Sequence, residues 1–285
     1  GVGGGTLLSL RMGQKDYSTA RTILDNVIFS NLAFGMVVGT LLFVFLDPIL
    51  YFFGASETTH KPASEFMHII LLGLPFTHLY FGLNNMLRAT GRPKLAMYST
   101  FGTVILNCLL APLFIFVFHW GIRGAAIATI AAQLAMLCWQ IYLFSDKTNV
   151  VHLTSFTLKT NFRLIKHLVM IGLPQFLINI CASMVAVVIV MSFTTYGAAT
   201  AEGSDVQGGS YGITNRLVIF VVMAVMGINQ GMQPIAGYNY GAQKYDRLLA
   251  VLKMAVIYAT IFTTVGFLVC ELFAEQLVSM FAKDS

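Results

Sequence analysis

The side chains capable of chemistry in this chain are amides set inside long apolar runs. Asn107 and Gln133 each fall near the middle of one, and Gln175, Asn179 and Ser183 follow at intervals of four, which places them on one helical face. Farther along come Asn215, Arg216, Asn229, Gln230 and Gln233. A polar side chain costs free energy in hydrocarbon, so each amide either bonds a neighbouring helix or lines a path for a solute. Asn107, Gln133 and Asn179 recur near mid-run in both halves of the chain, and that clustering favours a path. Arg216 lies roughly two turns inside its run, where it either extends to the interface or faces a cavity. The pathway candidates are therefore Asn107, Gln133, Gln175, Asn179 and Arg216.

Other chemistries fail on spacing. His68 and His78 are ten residues apart, not a ligand spacing on one helical face, and no Cys, Asp or Glu cluster accompanies them. Gly1 to Gly5 is glycine-rich but lacks the following Lys-Ser/Thr of a phosphate loop, and neither H-E-x-x-H nor G-x-S-x-G occurs. The chain reads as a non-enzyme. None of the complete runs holds a carboxylate near its middle, since Asp25 and Glu65 lie at ends. An acid that binds a coupling cation would have to come from a segment beyond these residues.

The elements that must hold the amides are membrane helices. Apolar residues make up 57% of the chain and charged residues only 10%, against about a quarter in soluble domains. The charges sit in short islands between stretches of about 20–30 apolar residues, the length that crosses a bilayer core. The pattern predicts an all-α, polytopic membrane protein and excludes a β-barrel, whose strands alternate in polarity. Spans are expected near residues 22–46, 64–87, 95–118, 122–144, 166–195, 210–238 and 247–272, after the tail of one helix over about 1–10.

Connections alternate in charge. Arg11, Lys15 and Arg21, then Arg88, Arg92 and Lys94, then Lys147, Lys159, Arg163 and Lys166, then Lys244, Arg247 and Lys253 mark one side. Asp47, Glu57 and Glu65, then Glu202 and Asp205, then Glu271, Glu275 and Asp284 mark the other. Basic residues resist translocation, so the first set is assigned to the cytoplasm. Gly and Pro recur inside the spans, at Gly73 and Pro75, Pro112, Gly172 and Pro174, and Gly227, Gly231 and Pro234, either for packing or for bending. The four cysteines, Cys108, Cys138, Cys181 and Cys270, fall in apolar runs without C-x-x-C spacing and read as buried, inert thiols.

The stretch Gln230–Ala242 closes one span and leads through a basic turn into the next. Residues Gly13 to Tyr17 echo it: laid over each other without gaps, Gly13 falls on Gly241, Tyr17 on Tyr245 and Asp47 on Glu275. That echo predicts two related halves.

Five stretches then carry a resemblance. Gly231-Met232-Gln233-Pro234-Ile235-Ala236-Gly237-Tyr238-Asn239-Tyr240-Gly241-Ala242 resembles a motif of the multidrug and toxic compound extrusion (MATE) family. Leu87-Arg88-Ala89-Thr90-Gly91-Arg92-Pro93-Lys94 is similar to the turn after that family's helix 4, and Asn107 to Ile115 to its helix 5. Gly121 to Thr129, with Gln133 four on, is similar to helix 6, and Ser9 to Ala20 to the turn after helix 2. The resemblance implies two six-helix lobes around a cleft, with this chain an internal fragment holding about seven full helices. Residues 1–145 would be the N-terminal lobe from the end of helix 2 through helix 6. Residues 146–165 would be a cytoplasmic inter-lobe loop, and 166–285 part of the C-terminal lobe, helices 7 to 9.

The implied activity is secondary antiport in the bacterial cytoplasmic (inner) membrane. Organic cations and amphipathic drugs would leave in exchange for H+ or Na+, with no cofactor beyond that cation. The implied partners are the lipid bilayer and the substrates, with no nucleic acid, and the full-length protein would be monomeric. Two departures leave the coupling ion open. Some members carry an Asp where this chain has Ala111, and others a Glu in the region Ile180 to Val185, which here offers only Cys181 and Ser183. A flippase for lipid-linked oligosaccharide would need a cavity rich in Arg and Lys, where Arg216 is the one inward-facing base expected. A non-transporting scaffold or receptor would have no need of mid-membrane amides in two halves.

Overall fold

A computed structural model describes residues 1–52, 57–153, 162–196 and 203–279. The helices in order are α1 (Val2–Gly13), α2 (Tyr17–Val44), α3 (Leu46–Phe52), α4 (Glu57–Ala89) and α5 (Pro93–Pro112). A π-helical turn over Leu113–Val117 prolongs α5, and α6 (Gly121–Ser145), α7 (Phe162–Tyr196), α8 (Gly203–Gly241), α9 (Tyr245–Leu272) and α10 (Ala274–Ser279) follow. Among the described residues, seven helices are long and apolar enough to cross a membrane. The chain is an all-α, multi-pass membrane protein.

Several helices outrun the expected spans. The span expected over 64–87 is helical from Glu57 to Ala89, and the one expected over 210–238 runs from Gly203 to Gly241. Hydropathy marks the edge of the hydrocarbon, whereas the helix continues into the polar headgroup layer.

The cysteine reading is corrected. Cys108, Cys138 and Cys181 are exposed on the outside of their helices, and Cys270 is half-buried. A thiol is apolar enough to face lipid tails, so an apolar run does not decide which face it takes.

Two compact units divide the chain, Gly1–Gly172 and Leu173–Ser285. In the first, α4 packs on α1, α2, α5 and α6. Leu8, Ile23, Leu24, Leu83 and Met86 are fully buried where α1, α2 and α4 meet. Lipid is as apolar as these side chains, so close packing rather than exclusion from water holds them. Small residues permit it. A Cβ on Gly35 of α2 would lie 2.5 Å from Pro75 Cα, and one on Gly124 of α6 would lie 2.8 Å from the Phe114 carbonyl. In the second unit α8 packs on α9, where a Cβ on Gly266 would meet Val221 Cγ2 at 2.8 Å.

Residues 146–153 of the expected inter-lobe loop are fastened to the first unit. Arg21 Nε donates to Val150 O at 3.0 Å, Arg92 Nη2 donates to Asn149 Oδ1, and Leu153 N donates to Phe144 O at 2.8 Å. Residues 154–161 of that loop, with Lys159, lie outside the described residues, as do Glu202 and Asp284 of the acidic connections.

The echo between the two ends of the chain is a repeat of backbone geometry. After α1, Lys15 takes φ 61 with its N–H on Met12 O at 3.0 Å, and Asp16 N reaches back to Arg11 O at 3.0 Å. After α8, Gln243 takes φ 58 with its N–H on Tyr240 O at 3.1 Å, and Lys244 N reaches Asn239 O at 2.9 Å. These paired bonds are a Schellman closure. The helices that follow, α2 and α9, each have 28 residues, and each ends with a matching bond, Phe45 N to Leu41 O and Phe273 N to Val269 O. Each then leads into a short helix, α3 or α10. The turn between α4 and α5 has the same form, with Gly91 at φ 78 and Arg92 N on Leu87 O at 3.0 Å.

The two copies differ in capping. Asp16 accepts from Thr19 N at 3.1 Å and from Ser18 Oγ at 2.9 Å, whereas Lys244, in the equivalent place, provides no side-chain cap. The hydrogen bonds from Thr19 and Ser18, with Arg11 nearby, hold the Asp16 carboxyl below the ordinary carboxylate range.

Both turns can be tested by substitution. The left-handed conformation costs a residue with a side chain about 1–2 kcal/mol. Lys15→Gly and Gln243→Gly therefore each raise the unfolding temperature of the detergent-purified protein, while Lys15→Val lowers it. Asp16→Ala lowers stability by about 1 kcal/mol at neutral pH, the usual worth of a cap. Because folding depresses the Asp16 pKa, that advantage is complete above the unfolded value and is lost as pH falls below about 4. Melting curves of wild type and variant should converge there.

Candidate functional site

Where α4, α5 and α6 meet, their polar residues form one seam. The stripe on α4 is Thr77, Tyr80, Asn84 and Arg88; on α5 it is Ser99, Thr103 and Asn107, with Thr100 beside Ser99; on α6 it is Thr129, Gln133 and Gln140. Steps of three, four and seven keep each stripe on one helical face. The opposite face of α5 carries exposed Phe101, Val104, Ile105 and Leu109, side chains suited to lipid.

The expected residues Asn107 and Gln133 lie at the deep end of this seam. Asn107 Nδ2 donates to Thr129 Oγ1 at 3.1 Å, and Thr129 Oγ1 donates to Ala125 O at 3.0 Å. Gln133 Oε1 accepts from Thr77 Oγ1 at 2.6 Å. That hydroxyl also lies 3.2 Å from Gly73 O, and its single proton serves one acceptor at a time. Thr129 and Gln133 are four apart on α6, so one helix face joins α5 and α4 at neighbouring levels.

Toward the basic end the rungs continue. Thr103 Oγ1 donates to Tyr80 OH at 2.9 Å and lies 3.0 Å from Ser99 O. Gln140 Nε2 donates to Ser99 Oγ at 2.7 Å, with both residues fully buried. Asn84 Nδ2 donates to Ala96 O at 3.0 Å and Thr100 Oγ1 at 3.4 Å, while its Oδ1 accepts from Arg88 Nη2 at 2.8 Å. At 1.5 Å per residue, Thr77 to Arg88 covers about 16 Å, or half a bilayer core.

Backbone irregularities set the levels of the deep rungs. Pro75, two residues before Thr77, brings no N–H to its helix. Pro112, five after Asn107, opens the π-helical turn, in which Phe118 N reaches Leu113 O at 3.1 Å and Trp120 N reaches Phe114 O at 3.1 Å. Gly124 packs against Phe114 in that turn, which seats α6 with Thr129 opposite Asn107.

The expected residues of the second unit fall on α7 and α8. Gln175 is half-buried, and Asn179 and Arg216 are exposed. Among the described residues no hydrogen bond joins any of them to another side chain. The structure brings Asn107 and Gln133 together through α6; Gln175 and Asn179 lie one turn apart on one face of α7, and Arg216 lies on α8.

The histidines of α4 serve packing. His68 Nδ1 lies 2.7 Å from Ser64 O and its ring meets Phe43 edge-on at 4.7 Å, while His78 meets Phe34 at 5.5 Å. Among the described residues no group of three His, Cys, Asp or Glu could hold a metal. At the acidic end Arg123 grips Glu65 through two bonds of 3.0 and 2.9 Å, tying α6 to α4.

The expected set omitted the residues that complete the rungs: Thr77, Tyr80, Ser99, Thr103, Thr129 and Gln140. Hydroxyls are quiet in a hydropathy reading because they bond the carbonyl four residues back, as Thr129 and Thr103 do here. The available signal was spacing, since Ser99, Thr103 and Asn107 repeat every four residues.

Known proteins match along the whole chain. The MatE family model matches residues 1–113 and 174–285. The multidrug export protein MepA of Staphylococcus aureus (strain MSSA476) is 30% identical over 284 residues, covering 100% of this chain and 61% of MepA. MepA of Staphylococcus haemolyticus (strain JCSC1435) is 30% identical over 285 residues, again covering 61% of the relative. Among solved structures, the MATE multidrug transporter DinF-BH is 34% identical with a TM-score of 0.86, over 99% of this chain and 62% of that one. The outward-facing conformation of a multidrug resistance MATE family transporter shares the fold at a TM-score of 0.86 and 23% identity, over 99% of this chain and 61% of that one. The chain thus spans about 61% of the length of the curated relatives it matches. With family-model matches in both units and a polar seam between apolar helices, the chain belongs to the MatE family, the multidrug and toxic compound extrusion transporters, which are not enzymes.

Proposed function

We propose that the protein is a secondary active antiporter of the bacterial cytoplasmic membrane that exports organic cations and amphipathic drugs in exchange for H+ or Na+. The observation that carries this reading is the polar seam reaching mid-membrane at Asn107 and Gln133. Its support from relatives is that MepA is named a multidrug export protein and DinF-BH a MATE multidrug transporter.

In this reading residues 1–145 form one lobe and 166–285 part of a second, with 146–165 joining them. Asn107 and Gln133 line the first lobe's cavity; Gln175, Asn179 and Arg216 line the second's. The amides offer donors and acceptors without fixed charge, which suits cationic substrates of varied shape. Exchange requires that drug and coupling cation each disfavour the other, a reciprocal coupling of about 1–3 kcal/mol. No acid for the cation stands one turn beyond Asn107, where Ala111 places a methyl group. Monomeric action in the bilayer, with no cofactor beyond the coupling cation, completes the proposal. A lipid-linked oligosaccharide flippase fits less well, since Asn107, Gln133 and their partners offer no cationic cluster for pyrophosphate.

The intact protein in proteoliposomes tests this. An inward H+ or Na+ gradient should drive drug out of the cytoplasmic compartment; absence of gradient-dependent drug movement contradicts the reading. Asn107→Ala should lower that flux about tenfold, the scale of its lost bond to Thr129 at about 1.4 kcal/mol, and Asn179→Ala should lower it by removing a donor and acceptor for the drug. Asn107→Ala combined with Thr129→Val should cost little more than either alone, because both remove the same bond. Wild-type flux in Asn107→Ala or Asn179→Ala removes that residue from the pathway.

A further inference from the structure

α4 has a second polar face. His78, Gly82 and Asn85 follow at steps of four and three, which keeps them on one side of the helix, about 100° round from Thr77 and its bond to Gln133. α2 and the start of α1 meet this side. A Cβ on Gly82 would lie 2.6 Å from Asn31 Nδ2 of α2, and one on Gly1 would lie 2.9 Å from Asn85 Nδ2. Asn31 Nδ2 donates to Val27 O at 2.7 Å, and Asn85 Nδ2 donates to Phe81 O at 3.0 Å. Each amide thus spends a donor on its own helix and keeps Oδ1 as an acceptor. His78 stands at the deep end of this face, half-buried, with its ring edge-on to Phe34 of α2 at 5.5 Å.

Packing accounts for the ring of His78 but not for its nitrogens. His68 has Nδ1 2.7 Å from Ser64 O, whereas among the described residues neither nitrogen of His78 has a hydrogen-bond partner. Phenylalanine would pack on Phe34 as well, without carrying two polar atoms into hydrocarbon. At 1.5 Å per residue His78 lies about 20 Å from Glu65 at the acidic end and about 15 Å from Arg88 at the basic end, near mid-membrane. Few charges surround it. α1 brings the amino group of Gly1, which acts on the ring electrostatically. α2 brings none nearer than Asp25, about two and a half turns from Phe34 toward the basic end. α5 and α6 present Thr103, Asn107, Thr129 and Gln133 at this level, all uncharged. α4 itself carries Tyr80, bonded to Thr103, with His68 and Arg88 ten residues either way. Asp47 and Tyr51 of α3, against His60, and Arg123 of α6, against Glu65, lie at the acidic end.

We propose that His78 takes up the coupling proton of the exchange. Imidazole is the side chain that ordinarily changes charge between about pH 5 and pH 8, and here it stands level with the amides of the pathway. The proton adds to the lone pair of one ring nitrogen and later leaves from it, with no other bond made or broken. While bound it makes the ring a cation, which repels a cationic drug at Gln133, and a bound drug repels the proton in turn. That mutual exclusion is what exchange requires. Na+ suits the position poorly, because hard cations take oxygen ligands rather than imidazole. The inference rests on the antiport reading and deepens it by naming H+ as the coupling ion.

The test uses the intact protein, with ethidium, a fluorescent organic cation, as the probe. In detergent, wild type should bind ethidium more weakly as pH falls from about 8 to about 5, whereas His78→Gln should bind it with a Kd that does not follow pH. In proteoliposomes without Na+, a proton gradient should drive ethidium transport by wild type, and His78→Gln should lower that flux at least about tenfold. His68→Gln should keep both the flux and the pH dependence. If His78→Gln does not fold, His78→Phe, which keeps the packing on Phe34, carries the test. A folded His78 variant with the wild-type pH dependence of binding overturns the proposal. Loss of binding at every pH overturns it as well, since that marks a structural role. Wild-type transport driven by Na+ but not by H+ also overturns it and leaves the antiport reading standing. Wild type moving no ethidium under either gradient refutes the antiport reading, and this inference with it.

Discussion

Hydrocarbon offers a polar group no water, and every local feature of this bundle answers that constraint. Asn107 turns to Thr129, Gln133 to Thr77 and Gln140 to Ser99, each across a helix boundary. The hydroxyls of Thr77, Thr103 and Thr129 also face carbonyls of their own helices. Apolar attraction cannot bring helices together in lipid. Glycine does, at Gly35 against Pro75 and Gly124 against Phe114, by letting backbones approach closely enough for short side chains to meet. Gln140 Oε1 is the exception, an enclosed acceptor without a donor.

The second organising fact is duplication. Few side chains are shared between the stretch after α1 and the stretch after α8, yet both chain reversals use one closure, with Lys15 and Gln243 in the left-handed region. Glycine would be easier at either place, as Gly91 shows in the turn between α4 and α5. The register then holds through α2 and α9 to Phe45 and Phe273. Backbone geometry outlasts sequence here because the closure is made by main-chain bonds, which several side chains can accompany at different cost. Matches to the MatE model on both sides of the chain follow the same division.

Much of this was legible in the residues. Apolar run length gave the spans, the alternation of Arg and Lys with Asp and Glu gave their connections, and the overlay of Gly13 on Gly241 gave the repeat. Asn107 and Gln133 stood out because an amide in an apolar run is rare. What the sequence hid was pairing. Thr129 looks like an ordinary helix residue until a neighbouring helix arrives, and Arg88 looked like one more basic turn residue. The cysteines misled for a related reason: run hydropathy carries no information about which face of a helix Cys108 or Cys138 occupies. The π-helical turn after Pro112 was equally invisible, since proline predicts a disturbed ladder but not the form that relieves it.

Adjacent positions on α5 offer the most direct test of the proposed pathway, which requires that water reach the α4–α5–α6 seam while the outer face meets lipid. Cys108 is native and exposed on the outer face, while Asn107, beside it, turns inward to Thr129. Charged methanethiosulfonate reagents react with a thiolate, which forms only where water reaches the sulfur. The account predicts that wild-type protein in native membranes is not labelled at Cys108, whereas Asn107→Cys is labelled at the introduced thiol. Labelling of Cys108 with none at position 107 would contradict it.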